Sequence, residues 1–471
     1  MSGKAVQIWW LRRDLRLGDN PALNAALEAG PVIPVFIHDV HVDELGAAPK
    51  WRLEQGLRAL AQRLEGMGSR LILRRGPALD VLRELVAETG AKAVHWNRLY
   101  DPLSRERDAD IKRELKDEGI EATSHAAHVL FEPWTVETGT GGFYKVFSPF
   151  WKAVRGRDPG APLAPPGKIA APEVWPASDA LADWALGRAM NRGAEVLARH
   201  CKPGEEAAEV RLHEFVEEGL ADYKARRDMP GMDGTSRLSE YLALGEISPR
   251  RVWAVGMQAR EAGNAGAEPF LREVGWRDFA HHLMYHTPHL LSDNWREGWD
   301  GFPWSEDAES DAVMAWKQGR TGIDFVDAAM REMYVTGHMH NRARMVVASY
   351  LTKHMLVHWK VGQAWFAECL TDWDPASNAM GWQWTAGCGP DAAPYFRVFN
   401  PDTQLEKFDP KGDYAKAWLA EGQRTPSETA LSFFEAMPRS WNLSPEDRRP
   451  EPIVGLKAGR ERALAAYESV R

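Results

Sequence analysis

The sequence predicts a chain in two parts: an N-terminal α/β domain with a doubly wound parallel sheet, and a large all-α domain behind it. Three observations carry this prediction. Short apolar runs alternate with helix-period stretches through residue 130. Beyond about residue 190 only the helix period remains. Between them lies a long stretch interrupted by proline and glycine. The expected division is residues 1–130, a connection over 131–192, and a helical domain over 193–471.

In the first part, Val6–Leu11, Val32–Ile37, Arg70–Leu73 and Ala93–Trp96 are short apolar runs of the kind buried parallel strands make. Helical stretches separate and follow them: Asn20–Glu28, Trp51–Gly66, Pro77–Thr89 and Asp101–Glu118. Ligands of such folds sit beyond the strand C-termini, where the strand order reverses. The connection keeps aromatic residues throughout, so it is expected to be ordered, with Phe147–Trp151 packing on both domains. In the second part, helices are expected at Gly193–Cys201, Ala207–Tyr223, Leu238–Leu244, Pro249–Ala262, Pro269–His286, Ile323–Thr336, Asn341–His358 and Gly362–Leu370. No strand is expected there.

With 471 residues, 44% hydrophobic and 27% charged, the chain has enough apolar content for full cores. A net charge of −9 argues against general nucleic-acid binding, but not against a local basic groove. Three cysteines, Cys201, Cys369 and Cys388, are too few for a disulfide framework or the four ligands of an iron–sulfur cluster. They lack metal-ligand spacing, and His281-His282 has no third ligand at a sensible interval, so no metal is expected. No signal peptide or membrane span is apparent, and a reducing cytoplasm is the expected location. The 21 tryptophans exceed what packing ordinarily needs.

Chemistry concentrates in Asp372–Asn400, DWDPASNAMGWQWTAGCGPDAAPYFRVFN. Asp372, Asp374, Asn378 and Asp391 crowd a segment that also holds a Trp-x-Trp pair. Packing accounts for one of those rings. Buried acids and amides are costly unless paired, so the segment predicts a polar pocket with aromatic walls for a large planar ligand. Upstream, Thr235, Ser236, Arg237 and Ser239 open a helix; ordinary N-capping competes there with phosphate binding. Glu273, Trp276 and Arg277 share one face of their helix by spacing, as do Asn341, Arg344 and Met345.

These motifs resemble the DNA photolyase/cryptochrome family. Asn-x-x-Gly-Trp-Gln-Trp followed by Asp-Ala-Ala-Pro-Tyr-Phe-Arg is similar to its flavin-binding core, and IWWLRRDLRLGDNPAL to its opening motif, with Leu11 where the family usually has Phe. The likeness runs from Ile8 to about Glu406 and is closest to bacterial cyclobutane pyrimidine dimer photolyases. It implies folded FAD held by Tyr223, Thr235, Ser236, Arg237, Leu238, Ser239, Asn341, Arg344, Asp372, Asp374 and Asn378, with Asn378 facing flavin N5. It implies UV-damaged DNA contacted by Glu273, Trp276, Arg277, Arg342, Met345, Trp384 and Arg397, with Arg226 and Arg227 as further phosphate candidates. Trp382, Trp359 and Trp304 match an electron chain from flavin to surface, although packing explains Trp304 nearly as well.

The implied reaction is light-driven. Excited reduced FAD passes an electron to a flipped-out dimer, the cyclobutane ring splits, and the electron returns, so the enzyme is a carbon–carbon lyase. Glu273 would steady the dimer if protonated or hydrogen-bonded. The family's N-terminal domain carries an antenna; His95–Asp108 points to methenyltetrahydrofolate over 8-hydroxy-deazaflavin, with Trp96 and Asp101 as candidate contacts for which a structural role competes. A monomer without an obligate protein partner is implied.

The alternatives are a blue-light cryptochrome without repair, a non-photoactive flavoprotein, and a nucleotide-binding regulator. Asn378, Trp276, Trp384 and Met345 speak for repair of cyclobutane dimers. Asn341 and Met345 stand where (6-4) photolyases carry two active-site histidines.

Overall fold

The computed structural model describes residues 4–392 and 396–470. Five parallel strands form the N-terminal sheet: β1 (Gln7–Leu11), β2 (Val32–His38), β3 (Ile72–Arg75), β4 (Ala93–Asn97) and β5 (Glu121–His125), in the order β3-β2-β1-β4-β5. The crossovers are α1 (Pro21–Ala29), α2 (Ala47–Gly66), α3 (Ala78–Thr89) and α4 (Pro102–Asp117). β1 is central, with Ile8 opposite both Ile33 and Val94. Successive side chains alternate between faces, and two cores result. Trp9, Leu11, Leu23, Leu57 and Leu60 pack on one side, while Ile8, Trp10, Leu82, Leu85 and Ile111 pack on the other.

The fifth strand has no counterpart in the sequence reading. Its EATSH sequence lies at the sheet edge and keeps only Ala122 buried, so it has no apolar run to reveal it. The four expected strands all form, displaced by at most two residues at either end.

The connection is largely irregular and much of it is exposed, but it is anchored in both cores. Its helix α5 (Phe147–Val154) buries Phe147, Phe150, Trp151 and Val154 in the core of the helical domain. Ile169, Trp184 and Leu186, further along, return to the α/β core. Phe147–Trp151 therefore packs on the helical domain, and later residues bind the connection to the sheet.

The helical domain contains, among others, α6 (Glu205–Glu214), α7 (Ser239–Leu244), α8 (Pro249–Glu261), α9 (Ala267–His286), α10 (Asp324–Thr336), α11 (Asn341–Ser349), α12 (Trp359–Cys369), α13 (Pro375–Ala386) and α14 (Leu456–Ser469). Two expected helices are interrupted. The stretch expected over Ala207–Tyr223 passes through a π segment at Phe215–Gly219. The one expected over Asn341–His358 becomes a π segment at Tyr350–His354 and stops where Leu356 takes a φ of 53°. Burial carries through both breaks while the backbone changes pitch, at Phe215 in the first and over all of Tyr350–His354 in the second.

Helix α13 has no counterpart in the expected helices. Asp374 caps it, its carboxylate accepting the Ser377 N–H at 2.8 Å, and Pro375 occupies the first turn. Its apolar residues do not form one stripe, because α9, α11 and α12 all pack against it. No helix of the described residues is long and apolar enough to cross a membrane.

Candidate flavin and DNA site

Helices α7, α11 and α13 and the loops that lead into them converge on one set of polar groups. Arg344 of α11 donates to Asp372 at 2.6 Å and to the Met339 carbonyl at 2.8 Å. Asp372 is buried, which alone would raise its carboxyl pKa. Arg344, His338 and the Ser239 hydroxyl outweigh burial and hold it below the usual carboxylate range. The other carboxylate oxygen, Oδ1, is buried with no protein partner. An anionic acceptor left in that state calls for a ligand donor. Ser239 is exposed, with Thr235 and Ser236 half-buried beside it. These features fit a large polar ligand with an N–H or O–H donor and an anionic group.

The loop ahead of α7 is held by a residue the sequence reading passed over. Arg211 of α6 donates to the Thr235 carbonyl at 2.8 Å and the Ser236 carbonyl at 3.0 Å, and pairs with Asp233. Arg237 is exposed, sits at a φ of 51° and pairs with Asp233 at 3.2 Å. Leu238 and Tyr223 are core residues at 2% and 6% exposure, so each offers little beyond backbone or a ring edge. Tyr223 packs edge-on against Phe215 and Phe270. Asn341 is exposed at the start of α11.

Asn378 is buried on α13 and donates to the Asp374 carbonyl at 3.0 Å. The Asp374 side chain caps α13 and pairs with Arg13 of the α/β domain at 3.0 Å. Charge complementarity across the domain junction decides its direction.

The two expected wall residues are linked. Trp276 stacks on Phe147, with ring centroids 3.6 Å apart, and stays half-buried. Trp384 donates its indole N–H to the Asp391 carbonyl at 2.9 Å, and the Asp391 carboxylate accepts the Phe147 N–H. Part of the Asp-Ala-Ala-Pro-Tyr-Phe-Arg motif, residues 393–395, lies outside the described residues. A small open cleft runs from Trp384 past Trp299, Phe396 and Tyr467, with Arg296, Lys353 and Arg397 in its lining. Burial pushes the Lys353 ammonium down to about 7, although nearby Cys388 works in the opposite sense.

Several expected DNA contacts are engaged within the protein. Glu273 pairs with Arg227 at 2.5 Å. Arg277 does not join Glu273; it donates to the His128 carbonyl at 2.7 Å, inside the domain junction. Helical spacing brings the two side chains' roots near each other, but a buried carbonyl and the neighbouring acids draw the guanidinium away. Arg342 pairs with Asp228 at 2.9 Å and lies over Phe408. Arg226 pairs with Asp222 at 2.8 Å. Met345 is half-buried on α11.

Of the three tryptophans of the expected chain, two are buried and one is half-buried. Trp382 is buried, edge-on to Phe366 at 4.8 Å, and its ring fills the space above Gly362. Trp359 is fully buried and donates to Asn294 at 2.8 Å. Trp304 is half-buried, donates to the Thr352 carbonyl at 2.8 Å, and stacks on Trp299 at 5.6 Å. His358 lies between Trp359 and Trp304, at 5.4 and 5.1 Å. In the other domain, Trp96 is buried against Trp10 and Asp101 caps α4, so both are structural.

Comparison with known proteins agrees with this arrangement. Residues 7–167 match the DNA photolyase family, and residues 270–469 match the FAD binding domain of DNA photolyase. The chain is 43% identical to a deoxyribodipyrimidine photo-lyase of Agrobacterium fabrum, over 99% of this chain and 98% of that one. It is 36% identical to Cryptochrome-2 of Arabidopsis thaliana, covering 98% of this chain but 79% of that protein. A bacterial class III photolyase from Agrobacterium tumefaciens superposes with a TM-score of 0.92 at 42% identity, over 100% of this chain and 98% of that one. A photolyase from Sulfolobus tokodaii, solved with two FAD molecules, gives a TM-score of 0.80 at 29% identity, over 98% of this chain and 100% of that one. The chain thus belongs to the DNA photolyase/cryptochrome family, and its C-terminal half is that family's FAD-binding domain.

Proposed function

We propose that this chain repairs cyclobutane pyrimidine dimers in DNA, using light and reduced FAD. The observation that carries the reading is the pair of part-exposed walls, Trp276 and Trp384, tied to one another through Phe147 and Asp391 beside the helix that bears Asn378. The homologues named deoxyribodipyrimidine photo-lyase support repair over signalling.

Residues of the chain divide the work. Thr235, Ser236 and Ser239 would hold the FAD phosphates, and Asp372 with Arg344 would face the flavin ring. Asn378 would meet flavin N5 with a neutral amide, so the negative charge of the reduced ring is not opposed by a second one. Bound FAD supplies the electron that light drives into the dimer and takes it back after the ring splits. Flipping the dimer out of the duplex costs a few kcal/mol, less at a damaged site. Stacking on Trp276 and Trp384 would offset about 1–3 kcal/mol per base. Glu273 is paired with Arg227, so we assign the two together to orienting the dimer. Trp382, Trp359 and Trp304 would carry electrons inward when the flavin must first be reduced.

We assign the antenna as methenyltetrahydrofolate. At the junction of the domains, Trp134 is 42% exposed between Tyr100 and Tyr285, with Arg98 and Arg105 over the rings. Flat aromatic faces with cations suit a pterin bearing a glutamate. The crevice where the strand order reverses is instead filled by Trp10 between Arg12 and Arg107. Mass spectrometry of released chromophores tests this; deazaflavin or a second flavin would replace the assignment. A monomer in the cytoplasm, where Cys201, Cys369 and Cys388 stay as thiols, completes the reading.

The deciding experiment mixes chemically reduced protein with a DNA strand carrying one thymine dimer, under blue light and in the dark. Light-dependent recovery of thymine absorbance is expected. No recovery with flavin bound and photoreducible would move the protein to the cryptochrome reading.

A further inference from the structure

We propose that Arg13, a residue of the antenna-bearing α/β domain, is a positioning residue of the flavin site that locks the helix carrying Asn378 to the helix that follows the phosphate loop. The loop after β1 reaches into the helical domain. Arg13 donates through Nε to the Ala243 carbonyl at 2.7 Å, in the last turn of α7, and through Nη2 to Asp374 at 3.0 Å, at the first turn of α13. A guanidinium suits the carbonyl end of one helix and a carboxylate suits the amide end of the other. One side chain thereby joins two oppositely polarised helix ends. The rest of the loop reinforces the contact. Arg16 donates to the Gly245 carbonyl at 2.9 Å, and the Leu15 N–H donates to the Leu244 carbonyl at 3.2 Å. Gly245 lies so close that a Cβ there would meet the Arg13 carbonyl oxygen at 2.1 Å.

The consequence lies in what the two helices carry. Asn378 sits one turn into α13 and its amide donates to the Asp374 carbonyl at 3.0 Å, so its direction depends on the cap. Ser239, at the start of α7, helps hold the Asp372 carboxyl below its usual range, two residues ahead of the cap. His281 lies 3.5 Å from Asp374, and Arg277 completes the cluster through His128. His128, His281 and Asp374 could be read as metal donors, since their ligand atoms lie within 4.8 Å of one another. Arg13 on Asp374 and Arg277 on His128 place two fixed positive charges there, so the cluster is built as a lock and not as a cation site. The inference rests on the proposed contact of Asn378 with the flavin, but its first readout does not.

The test compares Arg13→Gln and Arg13→Lys, with Asp374→Asn, which retains a capping oxygen, and Arg250→Gln as control. Arg250 bridges the domains through Asp19 at 2.7 Å without touching α7 or α13. Hydrogen exchange is measured on the FAD-loaded protein, without light or DNA. Arg13→Gln should exchange roughly tenfold faster in the first turns of α13, as expected when a charge-assisted hydrogen bond is lost. Asp374→Asn should match it, and combining the two should add nothing. Arg13→Lys should lie between. The flavin reduction potential should shift in Arg13→Gln and stay fixed in Arg250→Gln. Unchanged exchange in α13, or an equal effect from Arg250→Gln, would overturn the inference. Failure of the repair assay with these exchange results intact would overturn the repair reading alone.

Discussion

A single amide decides the electrostatics at Asn378. Its Nδ2 donates to the Asp374 carbonyl, leaving its oxygen for another donor. In Asn378→Asp the donor is gone and a carboxylate faces a carbonyl oxygen in a buried site. We expect a loss of roughly 1–3 kcal/mol in stability and a more negative flavin reduction potential, read by unfolding and by redox titration. An unmoved potential would remove the contact with N5. Trp276→Ala deletes a ring already oriented by Phe147. Affinity for dimer-containing DNA should fall by about 1–3 kcal/mol, the worth of one stacked base, with FAD retained. Unaltered affinity in a binding titration would take Trp276 out of the wall. Residue identity was enough to single out these two positions. It did not foresee the ion pairs of Glu273 with Arg227 or Arg342 with Asp228, because long charged side chains choose partners from other elements.

Elements bring such residues to each other through close approach. Gly362 lies inside α12, where alanine would ordinarily stabilise a helix by roughly 0.5–1 kcal/mol. Here a Cβ would lie 2.1 Å from the Trp382 ring and 2.7 Å from Leu351. Gly362→Ala should therefore destabilise by roughly 1–3 kcal/mol through overpacking and slow flavin photoreduction by displacing Trp382. A thermal melt and a photoreduction trace check both, and a stabilised variant with normal photoreduction would contradict the contact. Gly245 ends α7 at a φ of 68° against the Arg13 carbonyl. Gly245→Ala should cost more than the roughly 1 kcal/mol of a left-handed alanine alone, measured by denaturant unfolding. The sequence revealed α9 and α10 through their helix period but not α13, whose apolar residues face several neighbours at once.

Across the whole molecule, buried titratable groups set the response to acid. Burial holds His281 and His282 down at about 3, and His340 and His354 at about 4, so they stay neutral in the folded protein. The unfolded chain protonates them near pH 6.5, so it binds more protons and stability falls as pH drops from there toward 4. Asp278, raised by burial to about 6, and Glu332, raised to about 7, act in the opposite sense. These histidines, together with His338 at about 3 and His125 at about 4, outnumber Asp278 and Glu332, and the urea midpoint should be lower at pH 5 than at pH 7; equal midpoints would mean the rings reach water. The parallel sheet, the helical remainder behind it and the family were determined by the sequence alone, since local periodicity and short motifs record what each segment buries. Only the tertiary structure decided that Arg13 and Asp374, 361 positions apart, meet at 3.0 Å. A buried charge must find a partner wherever the fold supplies one, and no local pattern records that choice.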